Sequence, residues 1–139
     1  MLPSFEEKSV WIQLISLVVG LALYSIVSGA MMANGITEPA PYVPVFISAV
    51  IVLVVVLGLG HALAALTGKP ERSDERDRLI GWRAESNSSW LLAVGVFGGI
   101  TALLFKVEAV WVAHLLLASM FVSDGLKLTL KLVYYRRGV

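Results

Sequence analysis

The stretch TGKPERSDERDRLIGWRAESNSSW, Thr67 to Trp90, decides how this chain reads. It is the only long polar run in an otherwise apolar sequence, with two hydrophobic segments before it and two after. Of 139 residues, 58% are hydrophobic and only 15% charged, whereas soluble domains carry about 25% charged residues. This departure predicts membrane residence. The reading is an all-α polytopic membrane protein: a single domain over 1–139 with four transmembrane helices, both termini inside, and a third helix extended into the cytoplasm.

Within the run, Thr67-Gly68 followed by Lys69-Pro70 is a helix stop. Ser73 is placed to cap a new helix, with Asp74 and Glu75 at the positive end of its dipole. Asp74 and Arg78 stand four apart in the favourable order. Leu79, Trp82 and Ser86 fall on one stripe, Arg76 and Arg83 on another, which describes an amphipathic segment over about 73–87. No proline separates it from the third apolar segment, about 88–105. One helix from about Asp74 to about Phe105 is therefore expected, bent near Gly81 or Asn87 and about 48 Å long.

Outward from the run, the first apolar segment covers about 10–32 and the second about 45–66. Each matches the roughly 20 residues that cross a hydrocarbon core. The second contains the β-branched run VIVLVVVLGLG, which suits a buried strand, but a lone strand in lipid leaves its backbone unpaired. Asn34-Gly35 and the prolines at 39, 41 and 44 mark a turn between these two. Small residues recur four apart, as Ser16 with Gly20, Ser25 with Gly29, and Gly95 with Gly99, a spacing that lets backbones approach. Lys106-Val107-Glu108 is a tight connection to the fourth segment, about 109–135. The acidic leader MLPSFEEKSV and the long apolar run after it do not fit a cleavable signal peptide.

Charge sets the expected orientation. Of the 11 Lys and Arg residues, ten fall in the N-terminal tail, the polar run and the C-terminal end, leaving Lys106 alone on the opposite side. Cationic loops stay cytoplasmic. The chain is expected in the cell inner (plasma) membrane as a multi-pass protein with both termini cytoplasmic.

Three polar groups are candidates for function, because ionisable residues within spans are costly. His61 and Asp124 fall at a shared depth near the inner boundary, and an imidazole–carboxylate pair there would respond to protons; the alternative pairs Asp124 with Lys127 or Lys131. His114 with Glu108, Glu38 and Asn34 forms an outer-face group suited to a cavity or a cation. Asp74, Glu75, Arg76, Asp77, Arg78 and Arg83 form a docking surface for a cytoplasmic partner or for anionic lipid headgroups; the alternative is a set of paired charges in solvent. Three carboxylates on successive turns do not enclose a hard cation. With no cysteine, thiolate metal sites and thiol nucleophiles are excluded. No phosphate loop, catalytic triad, metalloprotease motif or nucleic-acid module occurs. No catalytic residue, cofactor, metal or direct nucleic-acid contact is expected, and the chain does not read as an enzyme.

The segment SDERDRLIGWRAES resembles a motif of small uncharacterised bacterial and archaeal four-helix membrane proteins. In those, an Asp-Glu-Arg-Asp run and an aliphatic pair lead into the third helix; Asp74 to Asp77 and Leu79-Ile80 match. The resemblance implies a role in sensing, or in restraining a soluble regulator at the membrane. Small multidrug transporters share only the helix number, since the first segment here lacks a carboxylate in its core. Three functions stay open: a sensory or interaction protein acting through the charged segment, an oligomeric transporter or channel, and a protein that binds lipid or a hydrophobic ligand between helices. Membrane lipids, a second copy forming a dimer, and a soluble cytoplasmic regulator are the partners these readings call for.

Overall fold

The computed structural model describes residues 5–67 and 74–137. Four helices account for nearly all of them: α1 Phe5–Ala33, α2 Tyr42–Thr67, α3 Glu75–Leu104 and α4 Ala109–Arg137. Each is long and apolar enough to cross a membrane, the make-up of a multi-pass membrane protein. Much of the surface is bare aliphatic and aromatic side chain, such as Ile26, Phe97 and Leu104. In water such a surface would drive aggregation; against lipid tails it costs nothing.

α1 begins at Phe5, ahead of the apolar run, because Glu6 and Glu7 sit in its first turn and favour the dipole. It ends in a Schellman turn: Ile36 N–H reaches Met31 C=O at 3.2 Å, and Gly35 takes φ +76°. Glycine adopts that left-handed backbone without penalty. α2 starts at Tyr42, and Pro44 sits in its first turn, where no backbone donor is needed.

α3 runs unbroken through Gly81 and Asn87. Its N-cap is Asp74, whose carboxylate accepts from Asp77 N–H at 2.7 Å while the Asp77 carboxylate accepts from Asp74 N–H at 3.0 Å. This reciprocal box satisfies two otherwise orphaned donors. Ser73, expected as the cap, lies outside the described residues, as do Lys69 and Arg72. The expected apolar stripe also differs. α3 buries Ile80, Ala84, Ser88, Gly95 and Gly99, whereas Leu79, Trp82 and Ser86 are exposed. Close approach selects small residues at Ala84, Ser88, Gly95 and Gly99, with Ile80 the large apolar side chain buried beside them.

The helices pack in the order α2–α1–α4–α3. On α1, Ser16, Gly20, Tyr24 and Ser28 form a buried stripe at four-residue spacing. A Cβ on Gly20 would press on Leu53 and Ala49 of α2. Ser25 and Gly29, the other pair at that spacing, are exposed. Val10, Leu128 and Leu132 form the core between α1 and α4, flanked by Leu14, Leu17 and Tyr135. The α3–α4 hairpin closes on Gly95, where a Cβ would overlap the Ser119 side chain, and on Gly99 against Leu116. Ser123 Oγ donates to Ser88 C=O at 3.1 Å across the same seam.

Candidate functional site

Polar side chains collect at both ends of the bundle. At the end that carries the termini, His61 Nδ1 lies 2.9 Å from Leu57 C=O. A carbonyl only accepts, so Nδ1 carries the proton and Nε2 of the neutral ring accepts. Ser9 Oγ donates to that Nε2 at 2.9 Å and itself accepts from Gln13 Nε2 at 3.2 Å. Asp124 accepts from Lys127 Nζ at 2.8 Å, and Lys127 also faces Glu85 at 3.4 Å.

The expected His61–Asp124 pair is thus replaced by two separate sets of partners. The cause is helix order: α1 stands between α2 and α4 and supplies the Ser9 hydroxyl that His61 bonds to. The two sets approach each other across a cavity of about 170 Å³ lined by Gln13, Ser16, Asp124 and Lys127 on its polar side. Leu17, Leu53, Leu57 and Leu128 complete the wall.

At the turn end, His114 repeats the His61 arrangement. Its Nδ1 lies 2.7 Å from Val110 C=O and its Nε2 3.0 Å from Tyr24 Oη. The Tyr42 ring meets the imidazole edge-on with centroids 5.0 Å apart. The expected grouping of His114 with Glu108, Glu38 and Asn34 does not form. Glu38 and Glu108 are exposed, and the Asn34 side chain donates to Ala30 C=O at 2.7 Å. Aromatic packing draws the imidazole inward, away from the carboxylates on the turns. Among the described residues no cluster of three His, Asp or Glu side chains is placed to hold a metal ion.

The charged segment divides into an inner and an outer face. Tyr135 Oη donates to Asp77 Oδ1 at 2.9 Å, Arg76 donates to Tyr135 C=O at 3.2 Å, and Asn87 Nδ2 donates to Tyr134 Oη at 2.8 Å. These contacts strap the first half of α3 to the tail of α4. Glu75, Arg78, Leu79 and Trp82 line a shallow depression on the other side, with Trp82 77% exposed. Arg83 is exposed too. Of the six charged residues read as one surface, Asp77 and Arg76 therefore hold α4, and Asp74 and Asp77 close the cap. Arg136 and Glu7 stand 3.8 Å apart at the same end, and the Arg136 guanidinium lies over the Trp11 ring at 5.9 Å.

Sequence reasoning passed over Ser9, Gln13, Tyr24, Tyr42 and Tyr135. For Tyr24 a usable sign existed, since it continues the Ser16–Gly20 spacing that α1 buries. The chain matches no known protein family model, no curated protein and no solved structure.

Proposed function

We propose that this is a small integral protein of the inner membrane, with both termini and the 68–87 segment cytoplasmic, and that it acts as a sensory or interaction protein. Its working surface is the outward face of the α3 extension: Glu75, Arg78, Leu79, Trp82 and Arg83. One observation carries this reading. The inner face of the same segment is fixed to α4 through Asp77, Arg76 and Asn87, so the outer face is presented as a rigid helix instead of a mobile loop. An indole and a leucine flanked by two arginines complement an apolar pocket rimmed by carboxylates, and rigid aromatic and arginine anchors carry most interface energy. The occupant is a soluble cytoplasmic regulator.

The orientation rests on the excess of Lys and Arg at the terminal end. It is tested by single cysteines at Arg78 and Lys106, which have no background because the chain lacks cysteine. An impermeant maleimide should label position 106 in intact cells and position 78 only after lysis. A photocrosslinking residue in place of Trp82 then tests the partner. One protein adduct that disappears on Arg78→Glu/Arg83→Glu supports the reading, and adducts to lipid alone overturn it.

A second reading, an oligomeric small-molecule or ion transporter, is favoured by the polar cavity beside Gln13, Asp124 and Lys127. Four helices give little room for a water path within one copy, so this reading needs at least a dimer. Solute flux into proteoliposomes that falls on Asp124→Asn would support it.

A further inference from the structure

The turn end of the bundle holds a cavity of about 230 Å³ between α1, α2 and α4. Four rings stand on its wall: Tyr24, Tyr42, Phe46 and His114. Tyr24 and Phe46 meet edge to face with centroids 6.3 Å apart, and Tyr42 meets His114 in the same manner. A second cavity of about 260 Å³ shares Tyr24, His114 and Leu117 with the first.

The walls define the guest. No Asp, Glu, Lys or Arg lines either cavity. A charged guest would lose its hydration without gaining a partner, so the guest is neutral. Four rings in edge and tilted orientations suit a further aromatic ring. An apolar cavity of about 150 Å³ holds benzene, so the larger space here takes one ring with a substituent.

The hydrogen bonds fix the polarity of that substituent. His114 Nδ1 spends its proton on Val110 C=O, so Nε2 accepts the Tyr24 hydroxyl proton. Tyr42 likewise gives its proton to Ile36 C=O at 2.7 Å. Every side-chain proton of these three residues is committed, while the Tyr24 and Tyr42 oxygens keep acceptor capacity. A guest hydrogen-bonds here only by donating.

We infer that this cavity binds a neutral aromatic molecule of phenol or indole size, whose hydroxyl or N–H donates to the Tyr24–His114 pair. The inference stands apart from the docking role of α3, because no residue is shared between the two surfaces.

The test uses 4-fluorophenol and 4-fluoroanisole as probes, read by fluorine NMR on the purified full chain in detergent, with protein-free micelles as the partition reference. Wild type should bind the phenol saturably and about tenfold more tightly than its methyl ether, the difference one neutral hydrogen bond makes. Tyr24→Phe/His114→Phe removes the Tyr24 acceptor together with its His114 partner while keeping a ring at each position, and replacing both partners by apolar groups is close to neutral for folding. It should bind both probes equally. Ala113→Phe, at an exposed position lining the cavity, should abolish binding of both. Absence of saturable phenol binding by wild type, equal binding of the two probes by wild type, a phenol preference that survives the double variant, or binding that survives Ala113→Phe would each overturn the inference.

Discussion

Tyr135 and Asp77 stand 58 positions apart in the chain, yet the phenolic hydroxyl donates to the carboxylate at 2.9 Å. That bond ties the tail of α4 to the first turn of α3, and Arg76 reinforces it on the Tyr135 carbonyl. The Asp77 carboxylate also accepts from the Asp74 backbone. One side chain thereby closes the N-cap and anchors the extension.

Tyr135→Phe keeps the ring and deletes the bond. The loss should be about 1–2 kcal/mol, the range for a hydrogen bond to a charged acceptor that is partly screened. Hydrogen exchange should read it as faster exchange at amides 75–84, with the amides of 91–104 unchanged. Uniform protection along α3 in the variant would show that the extension is held by packing alone.

At Gly95 a Cβ would overlap Ser119, so Gly95→Leu should force α3 from α4. Overpacking of this kind costs about 1–3 kcal/mol, visible as a lower melting temperature in detergent. Ser119→Gly in the same chain should recover part of the loss. Gly58 provides the contrast: a Cβ there meets nothing within 4 Å. Gly58→Ala should raise stability by about 0.5–1 kcal/mol through helix propensity.

Sequence alone sets the axial coordinate of each residue well and its rotation about the helix poorly. Four helices were legible because hydropathy and length suffice, and the unbroken α3 because no proline interrupts 74–104. The α3–α4 hairpin was legible from the short Lys106-Val107-Glu108 connection, but the place of α1 between α2 and α4 was not, since lipid-facing and helix-facing residues are equally apolar. The buried Gly95 and Gly99 and the exposed Val94 and Phe97 illustrate this: in lipid, small size marks the interface and hydrophobicity does not. His61 and Asp124 suffer the same blindness. Both belong to the terminal end, but α1 intervenes and gives His61 the Ser9 hydroxyl, while Asp124 takes Lys127.

Lys127 bridges Asp124 and Glu85 and is itself only a quarter exposed. Lys127→Met leaves two carboxylates facing each other without a cation. Asp124→Asn leaves Lys127 with Glu85 and a neutral amide. The first should destabilise by about 1–2 kcal/mol more than the second, because an unpaired charge in a partly dry site costs more than a weakened pair. Chemical denaturation in mixed micelles would compare them, and equal losses would mean that the ion pair is fully solvated.

Lys106 is the described non-glycine residue with positive φ, at +58°. It occupies the position after α3 that Gly35 occupies after α1: its amide reaches Leu103 C=O at 3.0 Å, and Val107 N–H reaches Ala102 C=O at 3.0 Å. An L-residue with a Cβ pays about 1–2 kcal/mol for that backbone, and glycine does not. Lys106→Gly should therefore raise the melting temperature without altering the hairpin, the gain being reduced by the greater freedom of glycine in the unfolded chain. Lys106→Val should lower it, since a β-branched residue tolerates positive φ least. Lysine at this position also enters the charge pattern. It is the single cation expected on the outer side, so Lys106→Gly would sharpen the charge bias on which the proposed orientation rests, and impermeant labelling at Arg78 should report the same orientation in the variant as in the parent chain.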